Sequence, residues 1–402
     1  MHRPVPALAL LALSQVLAMT LWFSATAVLP SLQRAWGLSA TGAAWLTAAV
    51  QLGFVVGALA SALTNLPDVL PPRRMLWLSA LGGALANLVL ALAVSSIGPA
   101  LVLRFLTGVF LAGVYPPGMK IAAGHVSGHG RGLAIGVLVG ALTLGSATPH
   151  LVAGILGGAD LPYRLVLVVS SGLAVVGALV VATLVTDGPY APPPAPFDPR
   201  QVGRVFRDRA LVLANLGYFG HMWELYAMWT WLAIFLAAAL GPADPSASRL
   251  AAFAIIGVAG ALGCVLAGWV ADRIGRTTVT IAAMAVSGAC CVLSAWVYAA
   301  PGWALLVFGL IWGASVIADS AQFSASVTEL ADPSYMGTAL TLQTSMGFAL
   351  TLVTIWGLPI LAEHVGWRFA FLSLAPGPLF GCWSMLALRR RPESLRLAAG
   401  RR

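Results

Sequence analysis

Charge is what this 402-residue chain has least of: 9% of its residues are Asp, Glu, Lys or Arg, where soluble domains carry about 25%. With 59% hydrophobic residues and a mean hydropathy of +0.91, it has no material for a water-facing exterior. The composition therefore specifies a polytopic membrane protein rather than two or three soluble domains. Cysteine is also scarce. Cys264, Cys290, Cys291 and Cys382 lie inside apolar runs without metal-type spacing, so buried packing is expected and neither a disulfide framework nor a metal site is. No GxxxxGK[ST] phosphate loop and no HExxH pair occurs. Direct ATP drive, catalysis and a bound cofactor are accordingly not expected. An alternating pattern of period two is missing as well, which excludes a β-barrel and leaves helices.

What is present is a basic excess, with formal net charge +9 and a pI near 10.0. The basic residues fall between or after apolar runs and form no face interleaved with aromatics, so nucleic acid is not an expected partner. A lipid bilayer is. Cutting at Pro, Gly and charge clusters yields twelve apolar runs of the ~20 residues that a hydrocarbon core requires. They are 6–28, 43–66, 74–95, 99–123, 132–156, 164–186, 210–238, 249–271, 277–299, 302–326, 337–361 and 368–388. Ala25-Thr26-Ala27 imitates a leader cleavage site, but the run around it is longer than an ordinary leader, and it reads as an uncleaved first helix.

Placing the N-terminus inside puts Arg3, Arg73, Arg74, Arg131, Arg200, Arg204, Arg207, Arg209, Arg273, Arg276, Arg389 to Arg391, Arg396, Arg401 and Arg402 on one side. Only Arg34, Arg164, Arg249 and Arg368 fall on the other. That asymmetry predicts a multi-pass protein of the cell (inner or plasma) membrane with both termini in the cytoplasm. The longest polar interval, residues 187–209, is rich in Pro and Arg and reads as a stiff cytoplasmic linker. It separates expected six-helix bundles at 1–186 and 210–390, with a basic cytoplasmic tail at 391–402. At an offset of 204 residues Asp68 aligns with Asp272 and Arg164 with Arg368, which indicates an internal duplication.

The loop GWVADRIGRTT, with Gly268, Asp272, Arg273, Gly275 and Arg276, resembles the cytoplasmic signature of the major facilitator superfamily. Its first-half counterpart, LTNLPDVLPPRRM, keeps Asp68, Arg73 and Arg74 but lacks the glycine after the Asp. RFLTGVFLAGVYPPG resembles a second family pattern through Arg104, Gly108 and Gly113. The fifth run carries Gly136 and Gly145 at an antiporter-like spacing, followed by Pro149-His150 instead of Gly-Pro. The resemblance implies an all-α fold of two pseudo-symmetric six-helix bundles, a monomer, and alternating access to a cavity lined by the first, fourth, seventh and tenth helices. The two charged loops would gate that cavity.

Charges within spans bear on that implication, since each costs about 2.5–3.5 kcal/mol at the membrane centre on insertion scales. They are Arg104 and Lys120 on the fourth run, Glu224 on the seventh and Asp319 on the tenth, all on implied cavity helices. Within GYFGHMWELYAMWTWL, His221 precedes Glu224 by three residues on the same face, so the pair is expected to hold or pass a proton, or to fix helix packing. Asp319, followed by Gln322, reads as a second proton or substrate ligand, or as an ion pair with Arg104 or Lys120. Arg104 suits either an anionic substrate or helix pairing, and Lys120 is expected to snorkel toward the surface. Trp22, Tyr115, Tyr226, Trp229 and Trp312 are candidate stacking surfaces in the cavity. The expected function is proton-coupled transport of a small organic solute, by efflux, with import of a small organic anion as the alternative. A membrane receptor or enzyme would need a larger soluble segment.

Overall fold

In the computed structural model, residues 4–126, 130–155, 162–191, 196, 198, 200–241 and 245–402 are described. Arg3 and linker positions 192–195, 197 and 199 lie outside them. Eleven helices are long and apolar enough to cross a membrane, from Trp45–Leu63 to Trp367–Arg389, and Pro6–Met19 is a shorter apolar one. The chain is a multi-pass membrane protein. Helices suit these runs because every backbone N–H and C=O is paired within its own segment, which hydrocarbon demands.

The first run is not one helix. It spans Pro4–Met19, turns through residues 20–25, and resumes as Leu29–Trp36. The fourth run also divides, into Ile97–Leu111 and Tyr115–Gly124. Pro116 and Pro117 sit at the start of its second piece, where a missing N–H costs nothing. The tenth is interrupted at Asp319, between Gly302–Ala318 and Ser320–Leu330, whereas the seventh runs unbroken from Arg209 to Leu240.

Packing repeats with a six-helix period. The second helix lies on the fourth, the third on the sixth, and the first on the fifth and sixth; likewise the eighth lies on the tenth, the ninth on the twelfth, and the seventh on the eleventh and twelfth. At Gly108 a Cβ would collide with the Val50 carbonyl, so glycine sets how closely the second and fourth helices approach. Between the two sets, the second helix meets the eleventh and the fifth meets the eighth. The polar segment ahead of the seventh helix forms a short helix, Arg200–Arg207. The Arg200 N–H and the Gln201 amide donate to Asp198, whose carboxyl is held below its ordinary range chiefly by the Arg200 N–H.

Candidate functional site

At the arginine-rich end, two carboxylates reach across the helix sets and cap helices there. Asp68 sits in a one-turn helix, Leu66–Val69. It accepts from the backbone N–H of Gly337 (3.1 Å) and Thr338 (2.6 Å), and from the Thr338 hydroxyl (2.8 Å). These are orphan donors at the start of the eleventh helix, where the helix dipole also favours a negative charge. Lys120 forms a buried ion pair with Asp68 and donates to the Pro67 carbonyl at 2.9 Å. Contrary to expectation it does not snorkel to the surface, because its charge is consumed inside. Asp272 makes the equivalent contact from the second set, accepting from Gly132 (3.1 Å) and Leu133 (2.9 Å) at the start of the fifth helix. Arg276 donates to Asp272 (2.7 Å), to Gln322 (3.1 Å) and to Glu329 (2.7 Å). Arg73 instead holds the end of the sixth helix through the Val181 and Ala182 carbonyls. Arg273 stays on its own helix, donating to the Trp269 carbonyl and lying 3.7 Å from the Trp269 ring centroid.

Deeper in, the helix sets meet on an aromatic layer. Trp22 packs against Phe54 (5.2 Å between centroids), Phe348 (5.1 Å) and Tyr226 (5.9 Å), and Tyr226 packs against Trp229 (5.3 Å). Trp22 stands in the break of the first helix, whose freed carbonyls need partners in a membrane. Arg104 supplies them, donating to Leu21 O (3.0 Å), Trp22 O (2.5 Å) and Ser24 Oγ (3.2 Å). Ser24 continues through Asn87 to the sixth helix. Arg104 is thus fully buried as the clamp that holds the broken helix.

The sequence spacing paired His221 with Glu224; the structure pairs His221 with Asp319, and neither Arg104 nor Lys120 reaches that carboxylate. His221 Nδ1 lies 2.9 Å from Asp319 Oδ1, both side chains 1% exposed. Asp319 Oδ1 has no aligned hydrogen bond among the described residues, and neither does His221 Nε2, the ring nitrogen not used in this approach. Three residues along a helix are about 60° apart in azimuth, enough to aim Glu224 elsewhere. It points into the second helix set, accepting from Trp312 Nε1 (2.6 Å) and from Ser287 (2.9 Å) on the ninth helix. Trp312 therefore serves Glu224 and packs on Phe371 rather than lining the space between the sets. Gln322 likewise belongs to the Arg276 cluster. Tyr115, at the break of the fourth helix, faces Ser320 and Ser324.

Residues that the sequence did not single out complete the picture. Gln15, Gln51, Gln343 and Thr341 are buried with unpartnered polar atoms among the described residues, as are the Trp22 and Trp229 indoles and the Ser324 hydroxyl. An isolated glutamine in an apolar run was the available signal. Glu329 escaped notice because it lies just past the end assigned to the tenth run.

Residues 11–355 match the sequence model of the Major Facilitator Superfamily. No curated protein sequence matches the chain. The fold is similar to that of the proton:xylose symporter XylE bound to 6-bromo-6-deoxy-D-glucose, with TM-score 0.76, 14% identity and 96% of each chain covered. It is also similar to human MFSD10 (TETRAN), an organic anion transporter, with TM-score 0.77, 17% identity, and 96% of this chain and 100% of that one covered. The E. coli fucose:proton symporter FucP gives TM-score 0.71 at 15% identity, over 97% and 100%.

Proposed function

The chain belongs to the major facilitator superfamily and is a secondary transporter; we propose that it is proton-coupled, with the His221–Asp319 pair as the coupling site. The observation that carries this reading is a buried imidazole 2.9 Å from a buried carboxylate at the interruption of the tenth helix, with unused hydrogen-bonding capacity on each. Protonation of either group changes the charge of a buried site joining the seventh and tenth helices, and that charge decides whether the site is stable dry. Glu224 is a second proton acceptor, held by neutral donors alone. The arginine-rich end is the cytoplasmic face of the cell membrane, and the protein works as a monomer whose bundles, 1–186 and 210–390, rock about the aromatic layer.

The solute enters between the bundles, against Trp22, Tyr226 and Trp229, with Gln15, Ser324 and Gln343 supplying hydrogen bonds. Stacking surfaces joined to neutral polar groups favour a small, partly hydrophobic organic solute, and export remains the first reading. Import of an organic anion has less support, because both intramembrane cations are occupied: Arg104 by the first helix and Lys120 by Asp68.

The test begins with solutes that raise the melting temperature of the purified protein at two pH values, followed by flux in proteoliposomes under an imposed pH gradient. Asp319→Asn is expected to abolish gradient-driven flux while exchange without a gradient persists, and Glu224→Gln to weaken it. Full gradient-driven flux in both variants would overturn the coupling assignment. In cells, uncoupler-induced accumulation of the solute marks export, and uncoupler-induced loss marks import.

A further inference from the structure

The residues after the twelfth helix, expected as a basic tail, are folded onto the second gate. Leu397 is fully buried and Ala398 nearly so. The Ala398 N–H donates to Glu329 Oε2 at 2.9 Å, Arg396 donates to the Leu330 carbonyl at 2.8 Å, and Arg401 donates to the Asp272 carbonyl. Glu329 thereby uses one carboxylate to hold both Arg276 and the tail. Gly275, at φ +103°, admits the Arg402 carbonyl where any Cβ would collide. To make these contacts Ala398 and Ala399 adopt φ of 46° and 55°, a left-handed region that L-residues other than Gly, Asn and Asp seldom occupy.

A counterpart exists in the first half. The segment after the sixth helix lies on the first gate: the Tyr190 N–H donates to the Gly124 carbonyl at 2.9 Å, and the Asp198 N–H donates to Asn65 Oδ1 at 3.1 Å. Asn65 in turn donates to Thr338 at 3.0 Å, beside the Asp68 cap. His125, next to Gly124, is separated from Glu329 by the same 204 residues that separate Asp68 from Asp272.

We infer that Glu329 and residues 396–402 are positioning elements of the transport cycle: a latch that holds Arg276 and Asp272 in the geometry that caps the fifth helix. Asp272 crosses between the halves only while its loop is held from behind. Releasing the latch frees that loop and opens the second gate without touching the first. The inference rests on the gate contacts and is independent of which ion couples transport.

Hydrogen exchange on the full chain in nanodiscs tests it, comparing amides at 131–136, which Asp272 caps, with those at 337–341, which Asp68 caps. Removal of residues 397–402 is expected to raise exchange at 131–136 by at least about threefold, since local opening sets amide exchange, and to leave 337–341 unchanged. Ala398→Gly with Ala399→Gly is expected to lower exchange at 131–136, because glycine adopts positive φ without penalty. This second variant needs no truncation and keeps the test decisive if the shortened chain fails to fold. An equal rise at both segments on truncation, or no change at 131–136 in both variants, would overturn the latch.

Discussion

The two charged loops proposed as gates each cap a helix of the other set, with different wiring. At the first, one carboxylate, Asp68, caps the eleventh helix and neutralises Lys120, and among the described residues no second carboxylate touches that lysine. At the second, Asp272 caps the fifth helix while Arg276 leans on both Asp272 and Glu329, and Glu329 also takes a backbone N–H from the tail. A duplicated sequence kept the capping aspartate in both halves. The cation moved from the fourth helix in the first half to the start of the ninth in the second. The charge balance at the first loop therefore rests on one carboxylate, whereas at the second it is shared by two.

The largest expected effect follows from that difference. Asp68→Ala leaves a buried, uncompensated ammonium, which costs on the order of 3–5 kcal/mol, and the melting temperature should fall accordingly. Adding Lys120→Met should recover much of the loss, because removing both charges avoids the stranded one. A double variant no better than Asp68→Ala would show that the cap, not the charge, dominates. A smaller effect is expected for Asp272→Ala. Glu329 still neutralises Arg276, so the loss is that of two helix-capping hydrogen bonds, about 1–3 kcal/mol, and the same measurement checks it. Equal losses from the two substitutions would erase the distinction between the gates.

The smallest effect concerns the linker beside the first gate. Asp198 has its carboxyl held below the ordinary range, so its folded value is lower than its unfolded one. It adds stability above the ordinary carboxylate range, and that share is lost as pH falls through the folded value. Because the group is only half-buried, the slope of melting temperature with acidification should flatten only slightly in Asp198→Asn; a steeper slope would contradict the assigned direction.

Much of this architecture was legible in residue order. Apolar runs of membrane-spanning length mark each helix, and the shared offset of Asp68 and Asp272 marks the repeat and its two gates. The broken first helix was not legible. Residues 19–28, MTLWFSATAV, hold no proline or glycine, and the turn is stabilised by Arg104, 83 residues away from Leu21. Nor was the true partner of His221: local spacing offers Glu224, and only the rotation of the seventh helix against the ninth and tenth separates the two. Occupancy of Lys120 and the folding of residues 392–402 depend in the same way on partners distant in sequence.

By itself, then, the sequence determined the solvent, the number of spans, the family and the positions of the paired loop aspartates, because hydrophobic length and charge placement are properties of order along the chain. Tertiary structure alone decided which buried charges meet. An ion inside a membrane takes whichever partner the packing of helices brings within about 3 Å. For His221 that partner is Asp319, for Glu224 it is Trp312 and Ser287, and for Glu329 it is the arginine of one loop and the backbone of the tail.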